Sequence, residues 1–213
     1  MWQMDYTVLA RAAALLTAIP AHEAAHALAS DLLGDPTARS AGRLSLNPLR
    51  HLDPFGCLCL LAVGIGWAKP VPVDPRNFSR PRLDMALTAA AGPVSNLLMA
   101  WLALIGAKLA GWLLPAGQGS YLFYLFLLNL CLINISLAVF NLLPIPPFDG
   151  SRILAALLPG RAGAWMYRNG RWILLAVLAL LFFGVLDRPL QFLTQTVLGY
   201  MDLCTRWIDL LLG

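Results

Sequence analysis

His22, Glu23 and His26 fall within one helical turn, in Ala21-His22-Glu23-Ala24-Ala25-His26, inside an apolar run from about Ala12 to Leu33. Two imidazoles four residues apart on a helix point the same way and can both reach one metal ion. Glu23 is the only glutamate in the chain, and His51 is the only other histidine. So many ionisable groups on one apolar turn are poor material for a packed core. They read as a zinc site at membrane depth.

Zinc takes four ligands, and a catalytic site commonly draws three of them from protein and the fourth from water. A third protein ligand must be a carboxylate, histidine or cysteine at the same depth. His51 sits beside Arg50 and close to Asp53 in a polar loop, where a solvated histidine is the simpler reading. Asp149 is the better candidate. It follows three prolines in Asn141-Leu-Leu-Pro-Ile-Pro-Pro-Phe-Asp149-Gly150, so it sits on extended backbone near the inner end of a span and reaches His26 if that segment folds back. Cys57 and Cys59 could bind a soft metal, but small apolar thiols explain them more simply, and no disulfide is expected.

The elements that must position these groups are apolar. Of 213 residues 59% are hydrophobic and 12% charged, with mean hydropathy +0.70. A soluble domain carries about 25% charged residues, so the chain reads as a polytopic membrane protein. Its net charge of +4 comes from basic loops that bear on topology, and no basic patch with interleaved aromatics suggests nucleic acid. The N-terminal run has no convincing cleavage site and is not read as a signal peptide.

A first span over about 12–33 ends at Gly34-Asp35-Pro36, with Pro20 marking either a harmless kink or a defect beside a polar cavity. Arg43 to Leu46 alternate polar and apolar, a weak strand signal. Phe55 to Ala68 would span only about 21 Å as a helix, and basic loops on both sides suggest a re-entrant segment. Further spans are expected at Met85–Leu114, Tyr121–Leu143 and Trp172–Leu186, and 189–213 is amphipathic, lying in the interface or crossing with its polar face inward. The expected fold is an all-α polytopic membrane protein. It has about four to six transmembrane helices, with a short β or re-entrant element after the first. One domain would cover 1–213, its core about 10–160 and its C-terminal helices about 171–213. Intramembrane Asn96, Asn134 and Asn141 serve either as interhelical glue or as hydrogen-bonding groups beside the metal.

His-Glu-x-x-His, Ala91-Gly-Pro-x-x-Asn96 and Asn141-x-x-Pro-x-x-x-x-Asp149-Gly, in this order, resemble the site-2 protease family of intramembrane zinc metalloproteases. Gly42-Arg-Leu-Ser-Leu-Asn-Pro-Leu and Gly66-Trp-Ala-Lys-Pro-Val-Pro-Val are similar to its compact bacterial branch, without PDZ or CBS domains. The resemblance covers about 10–160. It implies His22, His26 and Asp149 as ligands of one Zn2+ per chain, Glu23 as general base, and Asn96 and Asn141 as groups that hold substrate or the reacting carbonyl. It also implies a zinc endopeptidase of a bacterial cell membrane, acting from the cytoplasmic side on transmembrane segments in regulated intramembrane proteolysis. Its partners would be a transmembrane substrate and lipid, with no oligomeric state implied. The alternative is a zinc-binding membrane protein that does not cleave, or an inactive homologue that only binds substrate. A metal carrier would want ligands strung across the membrane, and an inactive homologue would have lost Glu23 or a ligand.

Overall fold

Pro81 starts the longest helix among the described residues. Its fixed φ suits a first helical position, and the Asp84 carboxylate in the first turn accepts the Arg80 N–H at 2.8 Å. The computed structural model describes residues 12–13, 16–63 and 68–212. Gly66 and Trp67 of the short apolar segment, and the first eleven residues, lie outside that part. The helices are α1 (Ala18–Leu32), α2 (Thr37–Ser40), α3 (Pro54–Val63), α4 (Pro81–Leu113), α5 (Gln118–Asn141), α6 (Asp149–Leu157), α7 (Gly160–Arg168), α8 (Gly170–Phe182) and α9 (Asp187–Leu212).

α4 and α5 are long and apolar enough to cross a membrane; α8 and α9, bent by 86°, make a third crossing if counted as one broken span. Among the described residues, two or three crossings meet these criteria of length and composition, against the four to six expected from hydropathy. α1 has 15 residues and rises about 22 Å, less than a bilayer core of about 30 Å. Pro20 accounts for a break just before α1. Its ring crowds the carbonyl four residues back, and a turn at Thr17 separates α1 from helical residues at Ala12, Ala13 and Leu16.

α4 and α5 pack through small side chains. Ala100, Ala103 and Leu104 meet Cys131, Ile135 and Val139 in a buried cluster. Small residues let helix backbones approach closely where lipid supplies no hydrophobic drive. α9 lies along this seam with Leu190, Val197, Leu198 and Met201 packed on it. Its Asp202 and Asp209 carboxylates both meet the Lys108 ammonium, Asp202 at 2.8 Å. Lys108 is mostly buried, and an ammonium at this depth needs such counter-charges. These acidic groups of α9 thus pair with α4 while staying more than half exposed.

The β element expected after the first span is reduced to one antiparallel bridge, Leu52 with Ala68, and there is no strand among the described residues. Residues 43–46 are irregular, with a bend at Leu44 and Ser45, and Pro70 and Pro72 cannot donate to a ladder. The bridge and the Lys69 N–H donated to the His51 carbonyl at 2.8 Å bring the two ends of 52–68 together. Val71 and Val73 pack against Ala27 of α1 and Ala38 of α2.

This packing is pinned by Asp35, which is fully buried. Its carboxylate accepts the Asp74 N–H at 2.8 Å, the Asn77 amide at 2.7 Å, and both the N–H and the hydroxyl of Thr37. Burial alone would raise its pKa, but these hydrogen bonds win and hold it below the ordinary 3.8. A carboxyl whose folded pKa is depressed stabilises the fold above its unfolded pKa, and loses that contribution as pH falls below about 4. Asp35→Asn should lower the thermal midpoint in detergent at about pH 7, with the gap from the parent closing below about pH 4. A gap that does not change with pH would contradict this role.

Candidate metal centre

Three elements bring side chains to one point. α1 supplies the two histidines of its turn, both buried with 7% and 6% of their surface exposed. α4 presents Asp84, Thr88, Gly92 and Asn96, four residues apart along one buried stripe. The third contribution depends on a fold-back after α5. The chain passes through Pro144, Ile145 and a cis Pro146–Pro147 bond, and the Phe148 ring returns onto Phe140 with ring centres 4.4 Å apart. A Cβ at Gly150 would run into the backbone carbonyls of Leu142 and Leu143, so glycine is required where α6 starts against the end of α5. Asp149, the first residue of α6, is thereby carried back to α1.

His22 Nε2 and His26 Nε2 are 3.0 Å apart, and each is 3.2 Å from Asp149 Oδ2. His26 Nδ1 lies 2.7 Å from the Thr88 carbonyl. A carbonyl only accepts, so Nδ1 carries the proton and Nε2 presents a lone pair. That lone pair faces a second imidazole nitrogen and a carboxylate oxygen. Atoms bound to a tetrahedral zinc at about 2.0–2.1 Å stand about 3.3 Å from one another, close to this triangle. A divalent cation fits the donor set.

Gly92 makes the room. A Cβ there would strike His26 Nε2 and Cε1 and His22 Cε1. Glycine inside a helix costs about 1 kcal/mol relative to alanine, and close approach to the two imidazoles is the compensating use. Gly92→Ala should lower bound zinc by about tenfold or more, the effect typical of disturbing groups that orient metal ligands. Gly106→Ala is the control, because its Cβ would meet nothing nearer than Leu127 Cδ1 at 3.5 Å. Equal metal content in both variants would contradict the steric role.

Among the sequence candidates, the structure brings His22, His26 and Asp149 within 4.8 Å of one another. Glu23 is half-buried on the same turn of α1. Asn96 is buried one turn beyond Gly92, its Oδ1 without a partner among the described residues. Asn141 is half-buried at the end of α5 and donates its amide to the Leu137 carbonyl at 2.9 Å. Asn134 does the same with Leu130. His51 departs from the sequence reading. It is fully buried, its Nε2 lies 2.6 Å from the Ser45 carbonyl, and it holds the loop apart from the metal triangle. Four free thiols, Cys57, Cys59, Cys131 and Cys204, also lie outside that triangle. Sequence reasoning missed Thr88 and Gly92 as positioning groups. Their spacing with Asn96 was the available signal.

The motifs and the geometry meet in the comparisons. The model of peptidase family M50 matches residues 118–185, which include Asp149. A protein of Bacillus subtilis (strain 168) named "Putative zinc metalloprotease YwhC" is 43% identical over 161 residues, 73% of this chain and 70% of that protein. The chain belongs to peptidase family M50. This M50 membrane protein is also 29% identical over 172 residues to "Putative zinc metalloprotease Rip2" of Mycolicibacterium smegmatis (strain ATCC 700084 / mc(2)155). That match covers 78% of the chain and 64% of the relative. No solved structure matches the M50 chain significantly.

Proposed function

We propose that this chain is an intramembrane zinc endopeptidase, a single domain over 1–213 that cleaves within or beside transmembrane segments. His22, His26 and Asp149 hold one zinc ion per chain, and Glu23 is the general base. The observation that carries the reading is the convergence of two imidazole nitrogens and a carboxylate oxygen within 3.2 Å of one another, with the His26 Nε2 lone pair turned into the triangle. Zinc bound there supplies Lewis acidity to the scissile carbonyl and makes water nucleophilic near neutral pH.

The remaining chemistry belongs to the chain. Glu23 accepts the proton of the attacking water on a carboxylate oxygen and delivers it to the leaving amide nitrogen. The Thr88 carbonyl keeps the His26 ring in one tautomer and one orientation. Asn96 offers an amide beside the reacting carbonyl, and Asn141 does so after releasing Leu137. A helical substrate must unwind before its amides can react. The Pro70-Val71-Pro72-Val73 segment beside α1 supports a docking edge, since the Val71 and Val73 N–H groups have no partner among the described residues. The paired ends of 52–68 support a re-entrant segment, and the basic loops support a cytoplasmic site in a bacterial cell membrane, serving regulated intramembrane proteolysis.

The test is reconstitution with zinc and a model transmembrane peptide, with products mapped by mass spectrometry. The expected cut lies inside or at the edge of the apolar segment and disappears with chelator. Zinc retention without any cleavage would favour a non-proteolytic zinc protein.

A further inference from the structure

Beyond the metal site, the chain from Gly150 to Leu186 carries Arg152, Arg161, Arg168 and Arg171 and no acidic residue. Arg161, Arg168 and Arg171 are exposed. None of them joins an ion pair among the described residues. α7 is two-faced. Gly163 and Met166 are buried, Gly163 against Ala155 of α6, while Arg161, Trp165, Tyr167 and Arg168 face outward. Trp165, Tyr167 and Trp172 expose 57%, 50% and 62% of their surface, and the Arg171 guanidinium lies 5.3 Å from the centre of the Trp172 ring.

Such a face suits neither water nor hydrocarbon. Water would wet three large rings, and acyl chains would strip solvent from three guanidinium groups. The headgroup layer meets both demands, because indole and phenol rings settle at that level while cations find phosphate. The position within the fold agrees. The Arg82 side chain reaches Gly160, so the start of α7 lies beside the basic N-terminal end of α4, where a span leaves the membrane. Unbalanced positive charge selects lipids with net negative headgroups over zwitterionic ones.

We propose that α7 and the turn into α8 form a docking surface for anionic phospholipid headgroups, with Arg161, Arg168 and Arg171 as the phosphate contacts and Trp165, Tyr167 and Trp172 as the depth anchors. Only Leu158 and Pro159 separate α7 from α6, which begins with Asp149. A lipid held on α7 therefore fixes the depth of the helix that carries Asp149.

The full chain in phosphatidylcholine liposomes, probed by electron spin resonance with spin-labelled phosphatidylglycerol or phosphatidylcholine, tests this independently of proteolysis. The parent should prefer phosphatidylglycerol by about fivefold or more. The triple variant Arg161→Gln, Arg168→Gln, Arg171→Gln should fall to near parity. The corresponding triple lysine variant should keep the preference, separating charge from fold. Parity in the parent, full preference in the glutamine variant, or parity in the lysine variant would each overturn the proposal. So would soluble polyglutamate that abolishes the lipid preference by binding the same arginines, because the surface would then belong to an acidic protein partner.

Discussion

Glu23→Gln should leave zinc bound and lower cleavage of a transmembrane peptide by about 10³-fold, the middle of the range for removing a general base. The substitution keeps the size of the side chain on α1 and leaves His22, His26, Asp149 and Thr88 untouched. It removes only the ability to take a proton from water and hand it to the leaving nitrogen. The loss should therefore fall on kcat, with KM little changed, since Glu23 is not assigned to ground-state binding. Cleavage at the parent rate would remove Glu23 from the mechanism.

Asp149→Ala should release the metal. Two imidazoles would remain, without the oxygen now 3.2 Å from both nitrogens. Loss of a group that merely orients a ligand weakens metal affinity about 10–100-fold, so loss of a ligand should exceed about 100-fold. Purified protein should then carry little zinc while α4 and α5 stay packed, because their seam lies at Ala100–Val139 and not at α6. Full zinc occupancy in this variant would mean that another residue completes the site.

Both expectations rest on residues that were legible in the sequence, for a local reason. The spacing of His22 and His26 fixes their relative direction wherever the helix goes, and the proline-rich approach to Asp149 marks the end of a span. α4 and α5 were legible too, because long apolar runs at Met85–Leu114 and Tyr121–Leu143, closed by Pro115 and Pro144, have few other readings. What escaped depends on tertiary approach. Gly92 and Thr88 matter only because α1 lies against that stripe of α4, and no single-helix pattern reveals the partner. His51 looked solvated among polar neighbours, yet the Ser45 carbonyl and the chain pairing at Leu52 and Ala68 enclose it. The alternation at 43–46 suggested a strand, but no neighbouring strand was placed to pair with it. The amphipathic tail showed its polar face plainly. Which way that face turned followed from Lys108, on a helix nearly a hundred residues earlier.

The most direct measurement on the central claim is the zinc K-edge X-ray absorption spectrum of the purified chain. Two imidazoles and one carboxylate predict nitrogen and oxygen scatterers at about 2.0–2.2 Å, with imidazole multiple scattering and no sulfur shell. Those features should vanish in Asp149→Ala. A sulfur shell at about 2.3 Å would place the metal on the thiols and contradict the site formed by His22, His26 and Asp149.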